Sequence, residues 1–317
     1  MSLARQCLWA VRAAIGWVVW LGMAQAWAQV TPTSHFQIEV GVGTESQTSP
    51  LFQFAPDSTI IYPDGADRLD GTHVRTALQG SIEWMSPDGF MVSLAGNALL
   101  KRSPGSPGFD QTLLSVQPAV HFPVGSSSVG VGLSAQTLDV AGQHFQTSQG
   151  LQLDWTLTDG KQLWGVVLEG SVQKHPSDTS DLDSEVSSVA FLSQTANPLP
   201  GIDGLDFTLS AGRERNVHGY GDLSNRSAMF SVMLHWTWLG ASWTAGHSWR
   251  HAVFDAGFSS EDRPREDRTR MLDLSAQWPL SPDRSIRVEF NQTLNASNAR
   301  LYENTYHQVS VILQQTF

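Results

Sequence analysis

Ten histidines, one cysteine and a handful of Ser/His and charged clusters are the side chains from which this 317-residue chain would build hydrolytic or metal chemistry. His218 stands near Ser224 and Asn225, and His247-Ser248-Trp249-Arg250-His251 places a second Ser/His pair side by side. A hydrolase needs its hydroxyl within hydrogen-bond reach of an imidazole that a third polar group orients. Adjacent residues of an extended segment point to opposite faces, so His247 and Ser248 do not form that pair with each other. His247 and His251 share a face, but no carboxylate or third histidine completes a ligand set, and polar residues facing a lumen explain them better. Glu261-Asp262-Arg263-Pro264-Arg265-Glu266-Asp267-Arg268 mixes both signs as a solvated loop does, and its Arg263, Arg265 and Arg268 suit contact with lipid phosphates. The expectation is a chain without an active site, a cofactor or a metal.

The elements that would carry these residues follow from composition and pattern. Charged residues make up only 15% of the chain against 41% hydrophobic, with 19 basic and 30 acidic side chains, 27 glycines and 12 tryptophans. The net charge of −11 argues against nucleic acid as a partner. Arg5 and Arg12 precede an apolar run from Ala13 to Ala24, which is followed by Ala24-Gln25-Ala26 and Ala26-Trp27-Ala28. Basic region, apolar core and small-x-small site describe a secretory signal peptide over residues 1–28, cleaved after Ala28 or Ala26. The lone Cys7 leaves with that leader, so the mature chain, residues 29–317, has no disulfide, thiol nucleophile or lipid-bearing cysteine.

Beyond the leader no window holds 18 consecutive apolar residues, and alternation recurs instead. Ile286, Val288 and Phe290 point one way while Arg287, Glu289 and Asn291 point the other; Leu272, Leu274, Ala276 and Trp278 alternate with Asp273, Ser275 and Gln277 in the same manner. About fourteen such runs of roughly ten residues span the chain, from Ser34–Thr44 to Asn304–Phe317. Every second junction is a tight Gly/Pro/Asp turn, such as Ser86-Pro87-Asp88-Gly89, Asp159-Gly160-Lys161 and Leu239-Gly240. The intervening junctions are longer on average and polar: Glu45 to Gly71, Arg102 to Phe109, His175 to Asp183, Asn216 to Leu223 and Val253 to Glu266. Short turns alternating with long loops, an even strand count and aromatics near strand ends (Trp84, Phe90, Phe122, Trp155, Trp164, Trp238, Trp278) predict an all-β, antiparallel transmembrane β-barrel of the bacterial outer membrane. Its partners are then outer-membrane lipids and the barrel-assembly machinery, which reads a terminal aromatic on an alternating strand: here Phe317 after Val309, Val311 and Leu313, with Gln315 interrupting the apolar set.

The stretch from Asp267 through Asn295-Ala296-Ser297-Asn298-Ala299-Arg300-Leu301-Tyr302 to Phe317 resembles the barrel end of the surface lipoprotein assembly modifier family, in its Arg/Asp-rich strand start, its Asn-x-Ser-Asn-x-x-Leu-Tyr loop and its closing Phe. The resemblance covers about fifty residues. It implies a barrel that places a lipoprotein cargo on the cell surface, although the helical repeats that precede the barrel in better-known members have no counterpart between Gln29 and Ser34. The residues themselves carry a second expectation: a passive pore biased toward cations by lumen acids at Glu39, Glu83, Asp154, Glu169 and Glu289.

Overall fold

Alternation of apolar and polar residues leaves each strand with one face for hydrocarbon and one for water, and the only way to bury neither edge is to close the sheet on itself. A computed structural model describes residues 32–50, 53–54, 60–61, 66–257 and 263–317. Fourteen strands form one closed antiparallel barrel. They are β1 (Thr33–Pro50), β2 (Ala66–Met85), β3 (Met91–Arg102), β4 (Gln111–Val124), β5 (Ser127–Val140), β6 (Gln143–Asp159) and β7 (Gln162–Lys174). The second half comprises β8 (Ser184–Leu199), β9 (Ile202–Asn216), β10 (Asn225–Trp238), β11 (Ala241–Phe254), β12 (Glu266–Ser281), β13 (Arg284–Ser297) and β14 (Asn304–Thr316). Each strand pairs with its neighbour in sequence, and β1 closes the ring on β14 through twelve residue pairs, from Gln37↔Thr316 to Thr48↔Thr305.

The strand count and most turns agree with the alternation, but two junctions differ. Glu45 to Gly71 is not one long loop: β1 and β2 stay paired as far as Pro50↔Ala66, and Gln53–Phe54 pairs with Ile60–Ile61 beyond them. Glu45-Ser46-Gln47-Thr48-Ser49-Pro50 and Ala66-Asp67-Arg68-Leu69-Asp70-Gly71 do not alternate apolar with polar residues, so they lack the pattern that marks a strand in hydrocarbon although their backbone bonds are the same. On the same end β5 and β6 are joined by the two-residue turn Ala141-Gly142, with φ of 53° and 76°. Leu239-Gly240 at the opposite end turns in the same way, with φ of 52° and 71°, the mirror-image turn whose twist suits a hairpin. The leader with Ala26 and Ala28, and Glu261 and Asp262 of the charged run, lie outside the described residues.

The outer face is apolar. Ile38, Val40, Val42, Leu78, Leu94, Leu114, Leu153, Leu168, Leu209, Leu274 and Val288 are all exposed around the ring. An apolar band of this extent exceeds the few hundred Å² that a soluble monomer shows, and fits hydrocarbon outside it. Aromatic side chains gather on that face toward the short-turn end. Trp243 stacks on Trp236 with centroids 6.1 Å apart and meets Trp278 edge-on at 6.0 Å, while Phe90 lies 5.2 Å from Phe122. Tryptophan, whose apolar body and polar N–H edge differ, settles at such a boundary. His247 and His251, expected inside, share the outer face with Trp249: in register, His247 lies beside Val232 and Leu272 and His251 beside Ala228 and Arg268.

Candidate functional site: the lumen and its closing seam

Fourteen strands exceed the roughly eight whose interior is filled by side chains, so the barrel encloses a bore. Strand parity directs ten carboxylates into it among the described residues: Glu39, Glu45, Glu83, Asp154, Glu169, Asp206, Glu214, Asp267, Asp273 and Glu289. Only four strand cations face them: Arg75, Lys101, Arg250 and Arg287. A cavity of about 480 Å³ inside the wall is lined by Glu39, Arg75, Asn97, Gln277, Arg287 and Glu289 among others.

All five acids expected in the lumen stand on the lumen face, but they are not equivalent. Glu39 and Glu289 are locked with two arginines. Arg75 Nη2 donates to Glu39 Oε2 at 2.7 Å and its Nη1 to Glu289 Oε2 at 3.1 Å; Arg287 Nη2 donates to Glu39 Oε1 at 2.8 Å and its Nε lies 2.6 Å from Glu289 Oε1. These four side chains come from β2, β1 and β13, so their square of charge bridges β14 and the joint where the two chain ends meet. Glu39 and Glu289 therefore contribute no free charge to the bore. Asp154 stays 3.6 Å from His121, and Glu169 is exposed to the lumen.

A second buried cluster lies one step toward the loop end of the same joint. Glu45 accepts from Lys101 Nζ, from Ser103 Oγ at 2.8 Å and from Tyr306 Oη at 2.8 Å. His73 Nε2 lies 3.2 Å from both Ser310 Oγ and the Gln308 amide. Two glycines permit this. A Cβ on Gly43 would stand 2.6 Å from the His73 ring and 2.1 Å from the Val309 carbonyl, and one on Gly41 would stand 3.2 Å from Arg75 Cγ. Bare backbone on β1 thus lets side chains of β2 lie flat across it and reach β13 and β14. Sequence reading placed Glu45 in a loop and passed over His73, Lys101 and Tyr306. The parity shared by Glu39 and Glu45 was the available signal.

Ser310, His73 and Glu45 stand in the order of a hydrolytic triad, and the geometry argues against that use. Ser310 is 0% exposed, the Glu45 carboxylate is spent on three other donors, and it lies 3.7 Å from His73 Nδ1, which has no hydrogen-bond partner. A nucleophile sealed in the wall meets no substrate. The other Ser/His candidates are not brought together. The Ser224 hydroxyl donates to the Tyr220 carbonyl and accepts from the Asn216 amide, while His218 Nε2 contacts the Ser180 carbonyl. Of the expected assembly residues, Val309, Val311, Leu313 and Phe317 are exposed on the outer face, and the Phe317 amide donates to the Phe36 carbonyl at 2.9 Å. Gln315, which interrupts that set, is held at the edge by Asp283 and Arg284.

No family model matches the chain, and no curated protein matches it. Among solved structures, the anion-selective porin from Comamonas acidovorans is similar over 91% of this chain and 100% of its own, at 9% identity and a TM-score of 0.48. Pseudomonas aeruginosa OpdQ is similar over 90% of this chain and 97% of its own, at 12% identity and a TM-score of 0.45. Pseudomonas aeruginosa OccK2 (OpdF), solved with glucuronate, is similar over 89% and 96%, at 10% identity and a TM-score of 0.47.

Proposed function

We propose that the chain is an outer-membrane channel whose bore favours cations. The observation that carries this reading is the unbalanced lumen. Once Glu39, Glu289 and Glu45 are set against Arg75, Arg287 and Lys101, the acids Glu83, Asp154, Glu169, Asp206, Glu214, Asp267 and Asp273 face only Arg250 among the strand cations, with loop Arg265 3.4 Å from Asp267. A low-dielectric wall lined by one sign of charge concentrates counter-ions and repels co-ions. The apolar band and the leader pattern support the outer membrane as its site. Transfer of a lipoprotein, implied by the C-terminal resemblance, would pass through a lateral seam or the lumen; the seam between β1 and β14 is spanned by two buried polar clusters as well as its twelve residue pairs. The joint therefore weighs toward the bore as the working path.

The test is conductance of the refolded mature chain in a planar bilayer under a salt gradient, with a heat-modifiability gel to establish folding. A reversal potential of the sign for cations supports the proposal, and its magnitude falls when Glu169 and Asp273 are replaced by Gln and Asn. A folded barrel without conductance, or one preferring anions, overturns it.

A further inference from the structure

One cross-strand row on the outer face changes character along its length. Leu133, Leu151, Gly170, Ser187, Arg213 and Arg226 are paired in register from β5 to β10, and all point away from the bore. At the apolar end of the row the wall is concave. Gly170 has open space where a side chain would stand, and a trough of about 1080 Å³ is lined there by Val116, Leu133, Leu151 and Val172. Pockets that hold drug-sized ligands run to about 1,000 Å³, so the trough accommodates acyl chains. At the other end two arginines stand directly opposite each other on neighbouring strands, a placement that destabilises a sheet unless an anion lies between them.

The protein does not supply enough of that anion. Arg215 and Arg226 take no ion pair or side-chain hydrogen bond among the described residues, although Glu185 is the register neighbour of Arg215. Arg213 reaches Asp255 only at 3.7 Å and is about half exposed, while Lys174 at the trough's rim is held by Asp183 at 2.7 Å. All four cations lie within three residues of the loop end of their strands, where a lipid headgroup would be level with them. We propose that this face binds one phosphorylated, multiply acylated lipid, with its chains in the trough over Gly170 and its phosphates on Arg213, Arg215 and Arg226. The inference rests on the channel reading only in taking the loop end as the outer-leaflet side.

The experiment is native mass spectrometry of the refolded mature barrel in non-ionic detergent, titrated with bis-phosphorylated six-chain lipid A, with its phosphatase-treated form and with dioleoyl phosphatidylglycerol. One lipid A is expected to bind per barrel. The triple variant Arg213→Gln, Arg215→Gln, Arg226→Gln and removal of the phosphates should each weaken binding by about tenfold or more, since charge-assisted bonds from guanidinium to phosphate are lost. Gly170→Leu fills the trough while leaving every cation in place, and should weaken binding several-fold. Equal binding by wild type and the triple variant, or phosphatidylglycerol bound as tightly as lipid A, overturns the proposal. Heat-modifiability and conductance of each variant establish an intact barrel, so loss of lipid binding is read separately from failure of the channel assignment.

Discussion

Replacing Glu39 with Gln keeps the shape of the side chain and removes one charge from the square it forms with Arg75, Arg287 and Glu289. The four groups are neutral together and 5–19% exposed in their side chains, so the variant leaves an uncompensated positive charge in the wall. Breaking a buried pair by deleting one partner costs about 3–5 kcal/mol. Glu289 still holds both guanidinium groups, at 3.1 and 2.6 Å, which places the expected loss at the lower end, about 3 kcal/mol. The assay is urea unfolding of the barrel refolded in lipid vesicles, followed by tryptophan fluorescence, with the midpoint falling while the slope is unchanged. Adding Arg75→Gln restores neutrality, so the double variant should be more stable than the sum of the single losses by about 1–2 kcal/mol. A loss below about 0.5 kcal/mol for Glu39→Gln, or strict additivity in the double variant, would refute the idea that this charge square holds the chain ends together.

Other outcomes follow from the same structure. The paired residues Val42 and Val311, both outward, can be joined by Val42→Cys with Val311→Cys in a barrel of residues 29–317, which hold no other cysteine; oxidation should leave conductance unchanged, and its loss would show that the joint opens during transport. Asp183 in the loop after β7 is pushed toward a higher pKa by burial, but the Lys174 hydrogen bond, the His175 amide and the charges of both residues outweigh this and hold the carboxyl below its ordinary 3.8. Its contribution is therefore complete above about pH 4 and is lost as pH falls through the lowered value; Asp183→Asn should abolish that part of the acid dependence in urea midpoints, and an unchanged slope against pH would discard it. Phe317→Ser, at an exposed outward position, should lower the yield of heat-modifiable barrel in the outer membrane while refolding in detergent is unaffected, and equal yield in cells would remove Phe317 from the assembly signal.

Much of the architecture was legible because hydrocarbon writes itself into period two: Ile286, Val288 and Phe290 could be assigned to one face without any knowledge of their neighbours. The reading failed where that pressure stops. At Glu45–Pro50 and Ala66–Gly71 the paired backbone runs on without a period-two pattern, and nothing in the sequence there distinguishes strand from loop. His247 and His251 failed for the complementary reason, since polarity alone suggested the bore while their parity with Trp249 puts them outside. The seam was hidden by distance along the chain. Arg75 meets a carboxylate 36 positions away and another 214 away, and Arg287 meets its second partner across 248 positions. Ring closure alone creates the Arg75–Glu289 and Arg287–Glu39 contacts, and no local pattern encodes them.

The charge square has a consequence for how the ring is completed. The Arg75–Glu39 pair belongs to the first hairpin and the Arg287–Glu289 pair lies on a single strand near the other terminus, so each end of the chain reaches the joint already neutral. Closure adds the two crossed bonds, Arg287 to Glu39 and Arg75 to Glu289, without bringing unlike totals of charge together. A slip of two residues between β1 and β14 would keep every side chain on its proper face, so hydrophobic pattern alone would not reject it. It would displace the crossed partners by about 7 Å along the strand, beyond the reach of a hydrogen bond, while leaving both local pairs intact. The joint thus carries its own reading of alignment: among the registers that lipid accepts, the crossed bonds form in one.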